Sequence, residues 1–165
     1  MDIKVKKVRE NATVPAQATS GAAGFDLYVT AFLDDQGNEI TTDKYYLSEH
    51  RTETIRCATG LAFEIPEGYC MKILPRSGLA FKENITVVNA PGLIDSDYRG
   101  EVIVGLIKHH VSESVRCSTK SYSIINIGDR IAQAVIEKYE KPNFIEVEEL
   151  SETSRGEGKF GSTGK

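Results

Sequence analysis

Apolar and polar positions alternate along most of this chain with the period of two that marks half-buried strands. Ile3-Lys4-Val5 opens the pattern. Residues 60–65 read as a strand, the turn Pro66-Glu67-Gly68 follows, and residues 69–74 return as a second strand. Residues 101–107 place Val102, Val104 and Leu106 on one face and Ile103 and Ile107 on the other. Residues 122–127 and 131–139 read as strands divided by Gly128-Asp129, and 144–150 alternates once more. No long amphipathic helix is visible; the only candidate is short, over 77–82. Many short strands with frequent turns predict an all-β domain of the sandwich, jelly-roll or barrel kind. Two polar segments, 34–53 and 111–121, read as inserted hairpins or loops. From Ser151 the chain becomes a small-residue tail. The expected organisation is a β-domain over 1–150 and a flexible C-terminal lid over 151–165.

Composition narrows the function classes. A chain of 165 residues with 40% hydrophobic positions is long enough for one domain with a real core. Its net charge is −4 and no basic stripe stands out, so no nucleic-acid partner is expected. No apolar run approaches the roughly 18 residues of a membrane span, and the first residues lack the apolar region of a signal peptide. Cys57, Cys70 and Cys117 are odd in number and widely spaced, which suggests free thiols in a reducing compartment. A cytoplasmic location is expected, with the nucleus open to a eukaryotic or viral member. Adjacent strand residues face opposite ways, so His109 and His110 are poor co-ligands and read as a solvated strand end.

The chemistry concentrates in five segments. Residues 89–101 (Asn-Ala-Pro-Gly-Leu-Ile-Asp-Ser-Asp-Tyr-Arg-Gly-Glu) put an amide, carboxylates and a tyrosine between two turn signals. Leu93 and Ile94 can anchor the segment while Asp95 and Tyr98 project, so a flat polar ring can lie against backbone amides with a carboxylate at fixed distance. Pro75-Arg76-Ser77-Gly78-Leu79-Ala80 ends a strand and starts the short helix. Ser77 is expected to cap that helix, and Arg76 offers a bidentate cation for phosphate oxygens. Gly21-Ala22-Ala23-Gly24-Phe25-Asp26-Leu27 reads either as a close backbone approach beside Asp26 or as a tight turn that Asp26 caps. Gly128-Asp129-Arg130-Ile131-Ala132-Gln133 is a turn into a strand, with Asp129 and Arg130 a candidate surface ion pair. The tail holds Arg155, Phe160, Gly161, Ser162 and Thr163. It lacks Walker spacing. A lone aromatic among glycines and hydroxyls suits a closing lid better than an idle terminus.

Taken in this order, the five segments resemble the motifs of the trimeric dUTPase family, the deoxyuridine triphosphate nucleotidohydrolases, over nearly the whole chain. The resemblance implies an all-β, distorted jelly-roll (β-clip-like) subunit of a homotrimer, with one short helix and active sites shared between subunits. It implies hydrolysis of dUTP to dUMP and pyrophosphate by water attack on the α-phosphorus, with Mg2+ held chiefly by phosphate oxygens and water. This chemistry keeps uracil out of DNA and supplies dUMP. Asp95 would be the general base. Asn89, with the backbone of Gly92 and Ile94, would read uracil, and Tyr98 would exclude a 2′-hydroxyl. Arg76, Ser77, Gly78 and Gln133 would hold phosphates, and Asp26 would lie in the metal's water shell. Arg155, Ser162 and Thr163 would reach the distal phosphates, with Phe160 stacked on uracil and Gly161 beside it. Lys159 departs from the glycine most members carry there, and the two long segments exceed compact members. The rival readings are a dCTP deaminase or bifunctional deaminase–diphosphatase, and a nucleotide-gated binding protein on the same fold.

Overall fold

Among the described residues, short apolar runs broken by turn residues give thirteen strands and one helix. The structure, a computed structural model, describes residues 1–50, 54–110 and 121–158. The strands are β1 (Lys4–Lys7), β2 (Phe25–Tyr28), β3 (Ala31–Leu33), β4 (Glu39–Ile40), β5 (Lys44–Ser48), β6 (Ile55–Ala58), β7 (Leu61–Glu64) and β8 (Tyr69–Leu74). Helix α1 (Ser77–Glu83) follows, then β9 (Ile85–Val87), β10 (Gly92–Ile94), β11 (Ile103–Lys108), β12 (Tyr122–Asn126) and β13 (Arg130–Lys138). They form a four-stranded sheet in the order β10-β8-β13-β2, a five-stranded sheet β4-β3-β6-β11-β9, and the pairs β1-β7 and β12-β5. The pairings are antiparallel, as in an all-β jelly-roll-like domain. Among the described residues no helix is long and apolar enough to cross a membrane.

One core holds the layers together. Phe32, Leu27, Leu61, Met71, Leu106 and Ile131 are fully buried in it. Each such side chain contributes about 1.5–3 kcal/mol relative to exposure. On β11 the expected faces are observed: Val104 and Leu106 are buried, Ile103 is exposed and Ile107 half-buried. The strand begins at Ile103 rather than 101 because the preceding residues are held elsewhere. Val102 donates its N–H to the Leu61 carbonyl and accepts from the Thr59 N–H. Glu101 turns its carboxylate to the Gly60 N–H and to Arg9.

The long segment 34–53 meets the strand expected over 122–127, while residues 51–53 and 111–120 lie outside the described residues. Lys44–Ser48 pairs residue by residue with Tyr122–Asn126, so β5 and β12 make an added layer. Leu47 and Ile125 face the core, Tyr45 packs on Phe32 with ring centroids 5.7 Å apart, and Tyr46 lies 5.7 Å from Tyr122. Beneath it Lys108 donates to Ser123 Oγ at 2.9 Å and to the Glu83 carbonyl, and Ser123 Oγ donates to Glu83 Oε2 at 2.7 Å. Burial pushes the Lys108 ammonium down from its ordinary value, partly offset by Glu83.

Three expectations are corrected. Residues 144–150 form no strand: Phe144 is 90% and Leu150 88% exposed, and no ladder within the described residues receives them. Alternation specifies which side chains share a face; only a neighbouring edge makes a strand. Residues 25–28 are a strand rather than a turn, because Asp26 and Leu27 pair with Gln133 and Ala132. Ser77 is the first helical residue, not the cap. The capping position is taken by Arg76 in extended conformation (φ −89°, ψ 130°), without a side-chain cap bond. Its guanidinium is committed to Asp26 instead.

Candidate active site

The segment 89–101 is built around two glycines. Ala90-Pro91 is a cis peptide. Gly92 then enters β10 pressed against β8: a Cβ there would lie 3.2 Å from Ile73 Cβ and 3.5 Å from the Asn89 amide nitrogen. The tight contact is with Ile73, which would have to give by a few tenths of an ångström, whereas the Asn89 distance is ordinary contact. After Ile94 the chain turns. The Tyr98 N–H donates to the Asp95 carbonyl at 3.2 Å, and Arg99 donates to the carbonyls of Ser96 (2.7 Å) and Tyr98 (3.0 Å). The Tyr98 hydroxyl donates to the Glu101 carbonyl at 3.0 Å, which lays its ring over Gly100. A Cβ on Gly100 would stand 2.6 Å from the phenol Cζ. Asp95 is exposed at a cleft of about 520 Å3 shared with Asp97, Arg99, Tyr139 and Lys141.

A second cluster gathers three other segments. β13 lies between β2 and β8 with Gln133 opposite both Asp26 and Leu74. Arg76 donates through Nε to Asp26 Oδ1 at 2.9 Å, and Arg130 through Nη1 to Asp26 Oδ2 at 3.1 Å. Arg76 also donates to the Arg130 carbonyl at 2.8 Å, and Gln133 to the Pro75 carbonyl at 2.9 Å. Two guanidiniums against one carboxylate leave the cluster positive, and Asp26 joins Gly24, Leu74 and Gln133 in lining a cleft of about 370 Å3. Gly24 is obligatory for this packing, since its Cβ would meet the Ala134 carbonyl oxygen at 2.8 Å. Ser77 and Gly78 are exposed at the start of α1, next to Arg76.

Within one chain the two clusters do not meet. Asp95 directly follows Ile94, which pairs with Met71, whereas Asp26 aligns with Leu74 through Gln133. Asp95 therefore sits near the level of Cys70, four residues down β8 and three strand spacings across from Asp26. At about 3.3 Å per residue and about 4.8 Å per strand, the backbone positions of Asp95 and Asp26 are about 19 Å apart along the sheet. No residue lines both clefts. Arg155 is exposed in a turn, its carbonyl accepting from the Gly158 N–H at 3.1 Å. Phe160, Gly161, Ser162 and Thr163, with Lys159, lie outside the described residues.

Sequence reading missed Arg130 and the pair Arg9–Glu101. Asp129 does not pair with Arg130; its carboxylate accepts from the Asn126 N–H at 2.8 Å, which frees Arg130 for Asp26. Glu101 accepts from Arg9 Nε at 2.7 Å and from the Gly60 N–H at 2.7 Å, anchoring the end of the Tyr98 turn. Hydrogen bonding to Glu101 raises the Arg9 guanidinium above its ordinary value.

The sequence model of the dUTPase family matches residues 10–164. The chain belongs to the dUTPase family. Hydrolysis of dUTP to dUMP is the function of dUTPases. The deoxyuridine 5'-triphosphate nucleotidohydrolase of Nautilia profundicola is 47% identical over 165 residues, all of both chains. That of Hydrogenobaculum sp. is 44% identical over 164 residues, 99% of each. That of Helicobacter pylori J99 is 38% identical over 164 residues, 99% of this chain and 97% of the relative. Among solved structures, the Staphylococcus bacteriophage 80alpha dUTPase with dUPNHPP superposes with a TM-score of 0.78 at 26% identity, covering 99% of each chain. A phage phi11 dUTPase described with a structural Mg(II) ion gives 0.70 at 23% identity, over 91% of this dUTPase and 99% of that one. These relatives carry the nucleotidohydrolase name, which favours pyrophosphate release over deamination.

Proposed function

We propose that Asp95 is the general base of dUTP hydrolysis and that each active site is assembled between chains of a homotrimer. The chain hydrolyses dUTP to dUMP and pyrophosphate. The observation that carries the assembly is the separation of about 19 Å between Asp95 and the Asp26–Arg76–Arg130 cluster, estimated from strand spacings. A base must lie within hydrogen-bond reach of the water it activates, and that water must be in line with the phosphorus. Phosphate-binding cations that far away on the same chain cannot serve the same phosphorus. A neighbouring chain must bring its own cluster to Asp95. The exposed apolar side chains of Phe144, Ile145, Val147 and Leu150 support the same reading, because a partner surface would cover them.

In the reaction, Asp95 takes the proton of a water that attacks the α-phosphorus. The bond from that phosphorus to the bridging oxygen breaks, and pyrophosphate leaves. Asn89 and the backbone of Gly92 and Ile94 hold the uracil edge, and the tight hairpin excludes a 5-methyl group by steric clash. Tyr98, laid over Gly100, stands where a 2′-hydroxyl would be. Arg76, Ser77, Gly78 and Gln133 hold phosphate oxygens, the first two residues of α1 offering amides at an end without a side-chain cap. Arg155, Ser162 and Thr163 reach the distal phosphates, and Phe160 with Gly161 closes over the ring.

The residues fit Mg2+ only as a companion of the substrate. Both oxygens of Asp26 already accept from guanidiniums. They retain lone pairs for a coordinated water but do not form a carboxylate cage, consistent with a hard cation bound mainly by phosphates and water. When bound, Mg2+ would offset part of the negative charge of the triphosphate. Cys57 and Cys70 are free and buried, in keeping with the cytoplasm as the place of action.

The test is Asp95→Asn. Pyrophosphate release from dUTP should fall by about 10²–10⁴-fold, the usual worth of a positioned base, while dUPNHPP still binds. Undiminished turnover in this variant removes Asp95 from the role. Parallel assays with dCTP, dTTP and UTP should give no release; ammonia from dCTP would restore the deaminase reading.

A further inference from the structure

We propose that Glu49, His50 and His110 form a binding site for a transition-metal dication of the Zn2+ class, separate from the substrate's Mg2+. The three side chains each offer one ligand atom, and these atoms lie within 4.8 Å of one another. Oε1 of Glu49 and Nε2 of His50 are 3.6 Å apart, and the rings of His50 and His110 are 6.1 Å apart between centroids. In tetrahedral coordination with bonds of about 2.0–2.2 Å, neighbouring ligand atoms stand about 3.4 Å apart. The Glu49–His50 edge is thus nearly at coordination distance. The His110 ring closes the remainder by side-chain rotation, which its exposed position allows.

The fold places these residues together. Glu49 extends the β5–β12 ladder by one step, its N–H donating to the Ser121 carbonyl at 3.1 Å. The chain turns at 49–50, so these consecutive side chains are not forced to opposite faces as they would be within a strand. His110 comes from the far end of β11, where the N–H of His109 is fixed to the Asn84 carbonyl at 2.8 Å. His109 is not part of the group. The adjacent histidines are therefore not co-ligands of each other; His110 finds its companion, His50, in the long segment 34–53. The carboxylate is buried at 3% side-chain exposure while His50 is 63% exposed, so the site has a fixed floor and an open mouth.

Two imidazoles and one carboxylate select the metal class. Mg2+ and Ca2+ prefer all-oxygen shells, whereas imidazole suits Zn2+, Ni2+ and Cu2+. Three protein ligands leave a fourth position for water. Occupation would clamp the end of β5 to the end of β11 and so secure the added layer to the main sheet.

The full chain, stripped with chelator, is dialysed against Zn2+ in excess Mg2+ and the bound metal is counted. One Zn2+ per chain is expected, with a rise in melting temperature. His50→Ala and His110→Ala should each weaken binding by at least the ~10–100-fold that loss of even an outer-shell partner costs. His109→Ala should leave binding unchanged. A second reading uses the unaltered protein, which has three histidines. Zn2+ should shift the imidazole NMR signals of His50 and His110 and leave those of His109. Absence of binding, retention of binding in the His50→Ala/His110→Ala double variant, or a response centred on His109 overturns the site.

Discussion

The separation of Asp95 from its phosphate-binding cluster predicts how two inactive variants behave together. Asp95→Asn removes the proposed base, and Arg76→Ala strips the cation that Asp26 holds in place. Each trimer made of one variant alone is inactive or nearly so. Consider a trimer containing both, with each site pairing Asp95 of one chain with Arg76 of its neighbour around the ring. Two chains of one kind and one of the other give three neighbour pairs. In one of these the chain that retains Asp95 precedes the chain that retains Arg76, whichever variant is in the majority. Every mixed trimer therefore has one intact site, and its activity should be about one third that of the unaltered trimer. The variants are co-expressed with different tags, purified on both in succession, and assayed for pyrophosphate release from dUTP. If both groups served a site within one chain, mixed trimers would be no better than their parents. Recovery at that parental level would refute the estimate of about 19 Å drawn from strand geometry and the shared site built on it.

Three further outcomes follow from particular contacts. Gly100→Ala puts a Cβ 2.6 Å from Tyr98 Cζ and must displace the ring by about 1 Å. kcat/KM for dUTP should fall by about 10–100-fold and discrimination against UTP should narrow; unchanged selectivity would remove Tyr98 as the sugar gate. Glu101→Ala leaves the Gly60 N–H and Arg9 Nε without their acceptor. It should cost about 2–3 kcal/mol, or roughly 4–12 °C in melting temperature at fixed protein concentration; a shift under about 1 °C would mean that water replaces the carboxylate. Burial pushes the Cys57 thiol from 9.0 up to about 12. The folded state holds that proton longer than the unfolded chain, so its stabilisation is complete below pH 9.0 and is lost as pH rises towards about 12. The slope from this group is at most about 1.4 kcal/mol per pH unit. Denaturant titrations should show Cys57→Ala losing part of the alkaline decline, and identical slopes in both proteins would contradict this.

Much of the sheet was legible because turn chemistry and alternation agreed. β8 and β13 stand next to Pro66-Glu67-Gly68 and Gly128-Asp129, and both appear within a residue of their expected bounds. The strands β2, β3, β6 and β9 were not legible. They have three or four residues each, and β3 is buried at every position, so a period of two has no contrast to show. The segment 89–101 was recognisable as chemistry since its residues are contiguous. The pairing of Arg130 with Asp26 was not, because the two are 104 positions apart and nothing local at Arg130 signals a distant carboxylate. The polar segment 34–53 showed only its composition; that its β5 pairs with β12, the strand legible over 122–127, is a long-range fact.

The bare stretch at 144–150 bears on the life of a newly made chain. Alternating apolar residues without a ladder are a template for any exposed edge they encounter, including another copy of themselves. Glu146, Glu148 and Glu149 lie within that stretch and are exposed. Like charges laid side by side repel, so self-pairing of two such stretches is penalised. An edge already shaped to receive the segment suffers no such penalty. In the proposed trimer these acidic residues would act as gatekeepers during biosynthesis, when unassembled chains are the species at risk. Neutralising them should leave the assembled enzyme intact and lower the soluble yield, because what they protect is the interval before assembly.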